Sequence, residues 1–141
     1  MSEVRIPPSL RRRVATRAQH RCEYCRAPGA FSSGPFCVDH IEPSSRGGES
    51  HADNLALSCA GCNGYKLDYT SAPDPLTGRT VRLFHPRRDP WELHFLWSDD
   101  SLTLLPLSRI GRATISLLRM NRPELKNLRR ALILLDEHPP D

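Results

Sequence analysis

The sequence predicts an α+β fold, in which the order strand, loop, strand, helix carries metal ligands on its knuckles. Two Cys-x-x-Cys pairs, Cys22/Cys25 and Cys59/Cys62, are joined by a 33-residue loop over residues 26–58. Four thiolates in two such pairs are the ligand set of a structural zinc site. The hydrophobic pattern on either side adds an N-terminal helix, and a C-terminal hairpin followed by two helices.

The N-terminal elements follow from local signals. Leu10, Val14 and Ala18 recur every four residues and predict a helix over residues 8–19, which Pro8 can begin. The arginines of this helix form either a solvated surface or a surface that faces the phosphate groups of a nucleic acid. Further elements are predicted by apolar runs and by the polar, Gly-containing loops between them: a strand over Phe36–Ile41, a loop over residues 42–53, a strand over Leu55–Ser58 and a helix from Cys59 to Leu67.

The C-terminal half carries core patterning and little chemistry. Prolines interrupt residues 70–90, where a short strand is expected at Val81–Phe84. The alternation of Leu93, Phe95 and Trp97 predicts a half-buried strand that pairs with Leu102–Leu105. Helices are expected over residues 110–120 and 123–136, and Trp91 and Trp97 are expected to anchor the core. We therefore expect two parts, residues 1–69 and residues 70–141, with the second packed on the first.

The composition indicates a thin core and gives a weak indication of a polyanionic partner. Apolar residues make up 38% of the 141 residues and aromatic residues 6%, and a metal site commonly stabilises such a core. The net charge is +4, and 18 of the 20 cationic residues are Arg, whose forked guanidinium suits phosphate. An Arg-biased genome would produce the same excess, so both explanations stay open.

The chain is expected to be cytoplasmic and without a membrane partner. No apolar run approaches the roughly 20 residues that span a bilayer, and the first residues lack the apolar stretch of a secretory signal. Thiols stay reduced in the cytoplasm, which favours metal binding over disulfides for the paired cysteines. Cys37, between Phe36 and Val38 in a predicted strand, is expected to be a buried thiol.

The loop between the cysteine pairs contains groups that suit phosphodiester hydrolysis. Asp39 is a hard oxygen ligand for Mg²⁺ or Mn²⁺, and Asn63 offers a second oxygen. His40 can take a proton from water, since its unperturbed pKa lies near about 6.5. Adjacent strand residues point to opposite faces, so Asp39 and His40 can share one site only if the strand ends or bends there. Alone, such an Asp-His pair is usually a surface pair.

These motifs together resemble the HNH endonuclease family in its zinc-bound form. The resemblance is carried by the following segments: Cys22-x-x-Cys25, Asp39-His40-Ile41-x-Pro43, Gly47-Gly48, Asp53-Asn54-Leu55 and Cys59-x-x-Cys62-Asn63-x-x-Lys66. It covers about residues 20–68, and segments such as Asp74-Pro75 and Asp89-x-Trp91 resemble stand-alone bacterial members. The family's fold is ββα-metal, two strands and a helix around one catalytic divalent cation.

The resemblance implies roles for individual residues. His40 would be the general base, Asp39 and Asn63 would bind the catalytic ion, and Asn54 would brace the loop and orient His40. Because Asn63 stands where many members have His, the chain would be an H-N-N variant that prefers Mg²⁺ or Mn²⁺. The expected substrate is DNA, cleaved to a 5′-phosphate and a 3′-hydroxyl.

Lys66 by default is a surface lysine, but it shares a helix face with Asn63 and is a candidate phosphate contact. Arg46 and His51, in the loop that would face substrate, are also candidate nucleic-acid contacts.

Two classes of function stay open at this point. The first is a metal-dependent DNA endonuclease, and the second is a non-catalytic zinc-ribbon module that binds nucleic acid or protein. A binding module has no need of a base beside two metal ligands, so Asp39, His40 and Asn63 favour the enzyme. The oligomeric state is left open, with a monomer as one option.

Overall fold

A computed structural model describes residues 5–141, which form two compact units. The N-terminal unit comprises the chain up to Thr70 together with His85–Arg88, and the C-terminal unit comprises Ser71–Phe84 and Asp89–Asp141. The mixture of helices and small antiparallel hairpins confirms the predicted α+β class. Among the described residues, no helix is long and apolar enough to cross a membrane.

The N-terminal unit begins with helix α1 (Pro8–Arg17), which buries one apolar face against the first hairpin. Its Val14 is fully buried, and it belongs to a cluster that also contains Leu55 and Leu57. The helix ends two residues before the predicted end because Gln19 and His20 adopt positive φ angles of 54° and 57°. Such angles cannot continue a right-handed helix.

Strands β1 (Cys37–His40) and β2 (Leu55–Ser58) form an antiparallel hairpin, and helix α2 (Ala60–Lys66) follows directly. The register pairs His40 with Leu55 and Asp39 with Ala56. Every residue of β2 is buried, so this strand fixes the position of β1. Helix α2 ends at Lys66 because Leu67 has a positive φ of 52°. The core is therefore strand, strand, helix, as the sequence predicts.

The C-terminal unit contains two further hairpins. Strand β3 (Ser71–Pro73) pairs with β4 (Thr80–Arg82), and β5 (Phe95–Trp97) pairs with β6 (Leu104–Pro106). Strand β3 is not predicted from the sequence, because the prolines of this segment are interpreted as interruptions.

The strand predicted from Leu93 is wrong at its start. Trp91–Leu93 form a 3-10 turn, and only Phe95–Trp97 extend. Pro90 directly before this segment favours a turn over a strand start, which the alternation of apolar residues did not reveal.

Helices α3 (Arg109–Leu118) and α4 (Pro123–Leu134) complete this unit. Both end earlier than predicted, and Arg119 closes α3 in the left-handed region with a φ of 48°. Arg129 of α4 is 3% exposed and lies over the half-buried Trp97 ring, 4.9 Å from its centroid. The rings of Trp91 and Trp97 lie 5.8 Å apart, in agreement with the prediction that they are structural anchors.

Candidate metal and nuclease site

The four cysteines lie on two knuckles that the fold brings together. The first knuckle follows α1, where the amide of Cys22 donates to the Ala27 carbonyl at 2.9 Å. Arg26 takes a positive φ of 68°, which turns the chain back. The second knuckle is the junction of β2 and α2, where Cys59 is the N-cap residue.

The geometry of the four sulfurs fits a zinc ion. The four Sγ atoms lie within 4.8 Å of one another, and those of Cys25 and Cys59 are 3.7 Å apart. Tetrahedral zinc with Zn–S bonds of about 2.3 Å places its sulfurs roughly 3.8 Å apart. The exposed fraction of each cysteine is 8% or less.

Hydrogen bonds from backbone amides to two of the sulfurs also support zinc binding, because they stabilise negative charge on the thiolates. The amide of Cys62 donates to Cys59 Sγ at 3.4 Å, and that of Cys25 donates to Cys22 Sγ at 3.5 Å. Hydrogen bonds from the neighbouring thiols lower the pKa of Cys59 well below its usual range, and the largest effect comes from Cys22. The pKa values of Cys25 and Cys62 shift upward, chiefly through hydrogen bonds with the neighbouring sulfurs, so the thiolate form is favoured at Cys59 and not at every cysteine of the cluster.

Glu23 connects the first knuckle to β2. This glutamate is buried, and it was not identified from the sequence. Glu23 Oε2 accepts from the Leu57 amide at 2.8 Å, and the Glu23 amide donates to the Leu57 carbonyl at 2.8 Å. Its other carboxylate oxygen forms an ion pair with Arg87. Glu23 holds the two halves of the cysteine cluster together from outside the ligand set.

Asp39 lies at the protein interior, beside a cation. Its side chain is 11% exposed, and Lys66 Nζ lies 3.2 Å from its Oδ2. The Tyr24 hydroxyl donates to the same oxygen at 3.5 Å. Burial raises the pKa of Asp39, and the ammonium of Lys66 opposes that shift.

The expectation that Lys66 lies at the surface is therefore wrong. Lys66 is 2% exposed and is the last residue of α2. Its ammonium has no well-directed hydrogen bond within residues 5–141, so the charge of Asp39 is what compensates it. Lys66 offers no exposed ammonium to a phosphate.

His40 is the last residue of β1, so the condition that the strand ends at the Asp39-His40 pair is met. Its Nε2 lies 2.8 Å from the Ser50 hydroxyl oxygen, in the loop that joins β1 to β2. Ser50 belongs to no motif, and no signal in the sequence could have identified it.

Asn54 closes that same loop through three hydrogen bonds. Its Oδ1 accepts from the Glu42 amide at 2.9 Å, while its Nδ2 donates to the carbonyls of Glu42 at 3.1 Å and Glu49 at 2.8 Å. The loop passes so close to itself that a Cβ at Gly48 would lie 1.7 Å from the Glu42 carbonyl oxygen. Any residue other than glycine would force the loop open.

Asn63 lies on the face of α2 that meets β1. Burial raises the pKa of the Cys37 thiol, and the Asn63 side chain beside it opposes that shift. Cys37 is half-buried, so the prediction of a buried thiol is wrong. Because Cys37 and Asp39 are two residues apart on β1, Asn63 and Lys66 face the same side of the strand.

Arg46 and His51 lie on the loop between β1 and β2, as predicted. Arg46 donates to the Thr70 hydroxyl at 3.2 Å, and His51 lies 2.8 Å from a carboxylate oxygen of Glu49. Arg17 of α1 donates to the carbonyls of Ala52 at 2.6 Å and Leu55 at 2.7 Å, so this arginine fixes the loop instead of standing free.

The oxygen atoms that Asp39 and Asn63 offer are of a type that fits a hard divalent cation. Asp39 Oδ2 contacts Lys66 and Tyr24, whereas its Oδ1 has no hydrogen-bond partner in the described part of the chain. Together with the amide oxygen of Asn63, that free carboxylate oxygen is a ligand type that Mg²⁺ and Mn²⁺ prefer.

The comparison with known families agrees with this geometry. Residues 22–68 match the family model described as HNH endonuclease, and this segment contains the four cysteines, His40, Asn54 and Asn63. No curated protein and no solved structure matches the chain. Residues 22–68 of this chain are therefore similar to an HNH endonuclease domain, and they contain a ββα core with a cluster of four cysteines that fits zinc.

Proposed function

We propose that the chain is a metal-dependent DNA endonuclease that hydrolyses phosphodiester bonds. The observation that carries the proposal is the placement of Asp39 and His40 at the end of β1, inside a hairpin and helix closed by four cysteines. The match of this segment to a nuclease family supports the reaction class.

Asp39 and Asn63 would hold one Mg²⁺ or Mn²⁺ ion. A bound divalent ion neutralises charge on the phosphate and stabilises the leaving oxygen. Lys66 favours the ionised form of Asp39 against the effect of burial and contacts its Oδ2, which would leave Oδ1 as the ligand atom. Lys66 is thus a positioning residue in this proposal.

His40 would be the general base that takes a proton from water. A neutral imidazole has one N–H and one free lone pair, and the hydrogen bond at one nitrogen sets which nitrogen is which. If His40 Nε2–H donates to the Ser50 hydroxyl oxygen, Nδ1 keeps the lone pair that accepts the proton. Asn54 holds the loop that carries Ser50, and so orients His40 indirectly.

Arg46 and His51 would contact the DNA backbone from the exposed loop. The side chain of His51 is 68% exposed, so a phosphate can reach it. The products would be a 5′-phosphate and a 3′-hydroxyl.

Conversion of supercoiled plasmid tests the proposal. Purified protein should nick or linearise the plasmid with Mg²⁺ or Mn²⁺, stop when chelator is added, and resume when Mg²⁺ is restored in excess. Zinc content measured in the same samples separates loss of the catalytic ion from loss of the structural one.

A second function, a zinc-ribbon module that binds without catalysis, is favoured by one observation. The ammonium of Lys66 already compensates the charge of Asp39, so this carboxylate is stable without a metal ion. Absence of cleavage of duplex, nicked and branched DNA with every metal tested, in a protein that still binds DNA, would select this alternative.

A further inference from the structure

The C-terminal unit carries an arginine-rich groove that lies outside the HNH segment. The groove has a volume of about 840 Å³ and is formed by the turn between β3 and β4, by β4 and by the start of α3. Four arginines line it: Arg79, Arg82, Arg109 and Arg112.

Two of these arginines are neutralised by carboxylates. Arg112 donates to both carboxylate oxygens of Asp74 at 2.8 Å, and Asp74 is fully buried. Arg82 donates to both oxygens of Asp89, at 2.7 and 3.0 Å. These pairs hold the walls of the groove in place and add no net charge to it.

The other two arginines give the groove its positive charge. Arg79 and Arg109 are exposed, and neither side chain has a hydrogen-bond or acidic partner among residues 5–141. The neutralised pairs leave Arg79 and Arg109 as two uncompensated charges on one surface.

The start of α3 makes this charge more pronounced. The first turn of α3 contains Arg109 and Arg112 and no acidic residue. Helix N-termini carry a partial positive charge, so cations are unfavourable there and anions are favourable. Because Asp74 neutralises Arg112, the unpaired charge at this end is that of Arg109, which a bound anion would compensate.

We propose that this groove binds phosphate groups of a DNA backbone, as a second nucleic-acid surface of the chain. The inference rests on the proposed action on DNA. The guanidinium forks of Arg79 and Arg109 and the hydroxyl of Thr80 are donors for phosphate oxygens, whereas the apolar lining consists of Val81 and Ile110. Such a lining suits the sequence-independent backbone and offers no aromatic ring for base stacking.

Duplex binding across a salt series tests the groove. The double variant Arg79→Glu/Arg109→Glu is compared with Lys126→Glu/Arg130→Glu, which makes the same charge change on α4. Fluorescence anisotropy with a labelled duplex of about 20 base pairs, in chelator to prevent cleavage, gives the log–log salt slope. Each lost phosphate contact lowers that slope by about 0.9, so the groove variant should lose about 1.8, and the α4 variant clearly less.

Three outcomes would overturn the inference. The groove variant could keep the same slope as the α4 variant, or the wild type could bind no duplex at low salt. In the third outcome, ATP would raise the melting temperature of the wild type but not that of the groove variant, while both proteins bind DNA equally. That result would indicate that the groove is a site for a free anion.

The plasmid assay reports on the nuclease separately from the groove. A reduced slope in a chain that never cleaves would support the groove and reject the nuclease. An unchanged slope in a chain that cleaves would reject the groove alone.

Discussion

Lys66 illustrates what a sequence pattern leaves undetermined at the scale of one residue. The sequence shows a lysine near a helix end, and most lysines in that position are solvated. Its burial depends on Asp39, which a different element supplies. Local sequence therefore predicted the element that carries Lys66, whereas its environment follows only from the packing of α2 on β1.

The role of Ser50 in positioning His40 can be tested by substitution of this one residue. Replacement of Ser50 by Ala removes the hydroxyl at 2.8 Å from His40 Nε2, and the imidazole ring is then free to rotate or to change tautomer. Misplacement of a catalytic group by about 1 Å can cost up to about 10²-fold in rate. We expect Ser50→Ala to lower the single-turnover rate by about 10- to 100-fold, measured on a labelled duplex.

Ser50→Thr is the matched variant, because it keeps the hydroxyl. It should retain more activity than Ser50→Ala, with a pH profile like that of the wild type. Equal rates for the wild type and Ser50→Ala would show that the hydroxyl does not position His40.

At the scale of elements, the ββα core was predictable and the C-terminal hairpins less so. Strand β2 is a continuous apolar run and α2 begins at a cysteine pair, so several local signals coincide there. Strand β3 contains Pro73, and its pairing with β4 is decided by distant contacts that the sequence does not display. Directly after β3, Asp74 forms an ion pair with Arg112 of α3.

That ion pair makes the C-terminal unit sensitive to acid. Hydrogen bonds from Arg112 hold the pKa of Asp74 well below its usual range. The folded unit then binds fewer protons than the unfolded chain, so the contribution to stability is present above the unfolded pKa of about 3.9 and is lost as pH falls through the folded pKa.

Asp74→Asn should remove this dependence. The variant should melt at a lower temperature than the wild type near neutral pH, and the difference should shrink as the pH falls below about 4. Thermal melts followed by circular dichroism across this range check it. Melting curves that stay separated by a constant interval down to acid pH would contradict the role of Asp74.

At the scale of the whole molecule, the cysteine cluster is expected to decide whether the N-terminal unit folds. The composition predicted a thin core, and the structure places one small apolar cluster of this unit on side chains of α1, its flanking residues and β2. Binding of structural zinc can contribute on the order of 10 kcal/mol to folding. The chain should therefore purify with about one zinc ion, which is what a set of four thiolate ligands binds.

Cys59→Ser should leave little soluble folded protein, whereas Cys37→Ser, outside the cluster, should fold and bind zinc like the wild type. Elemental analysis and circular dichroism of the two variants make the comparison. Folded wild-type protein without zinc would contradict the assignment of the cluster.

The most direct test of the central claim is the cleavage rate of His40→Ala beside the wild type and His20→Ala, a histidine outside the proposed site. General-base catalysis typically supplies roughly 10²–10⁴ in rate. We expect His40→Ala to lose at least about 10²-fold in single-turnover rate with Mg²⁺ or Mn²⁺, with zinc content and DNA affinity unchanged, and His20→Ala to match the wild type. Cleavage by His40→Ala at the wild-type rate, in a preparation free of contaminating nuclease, would contradict the proposed nuclease mechanism.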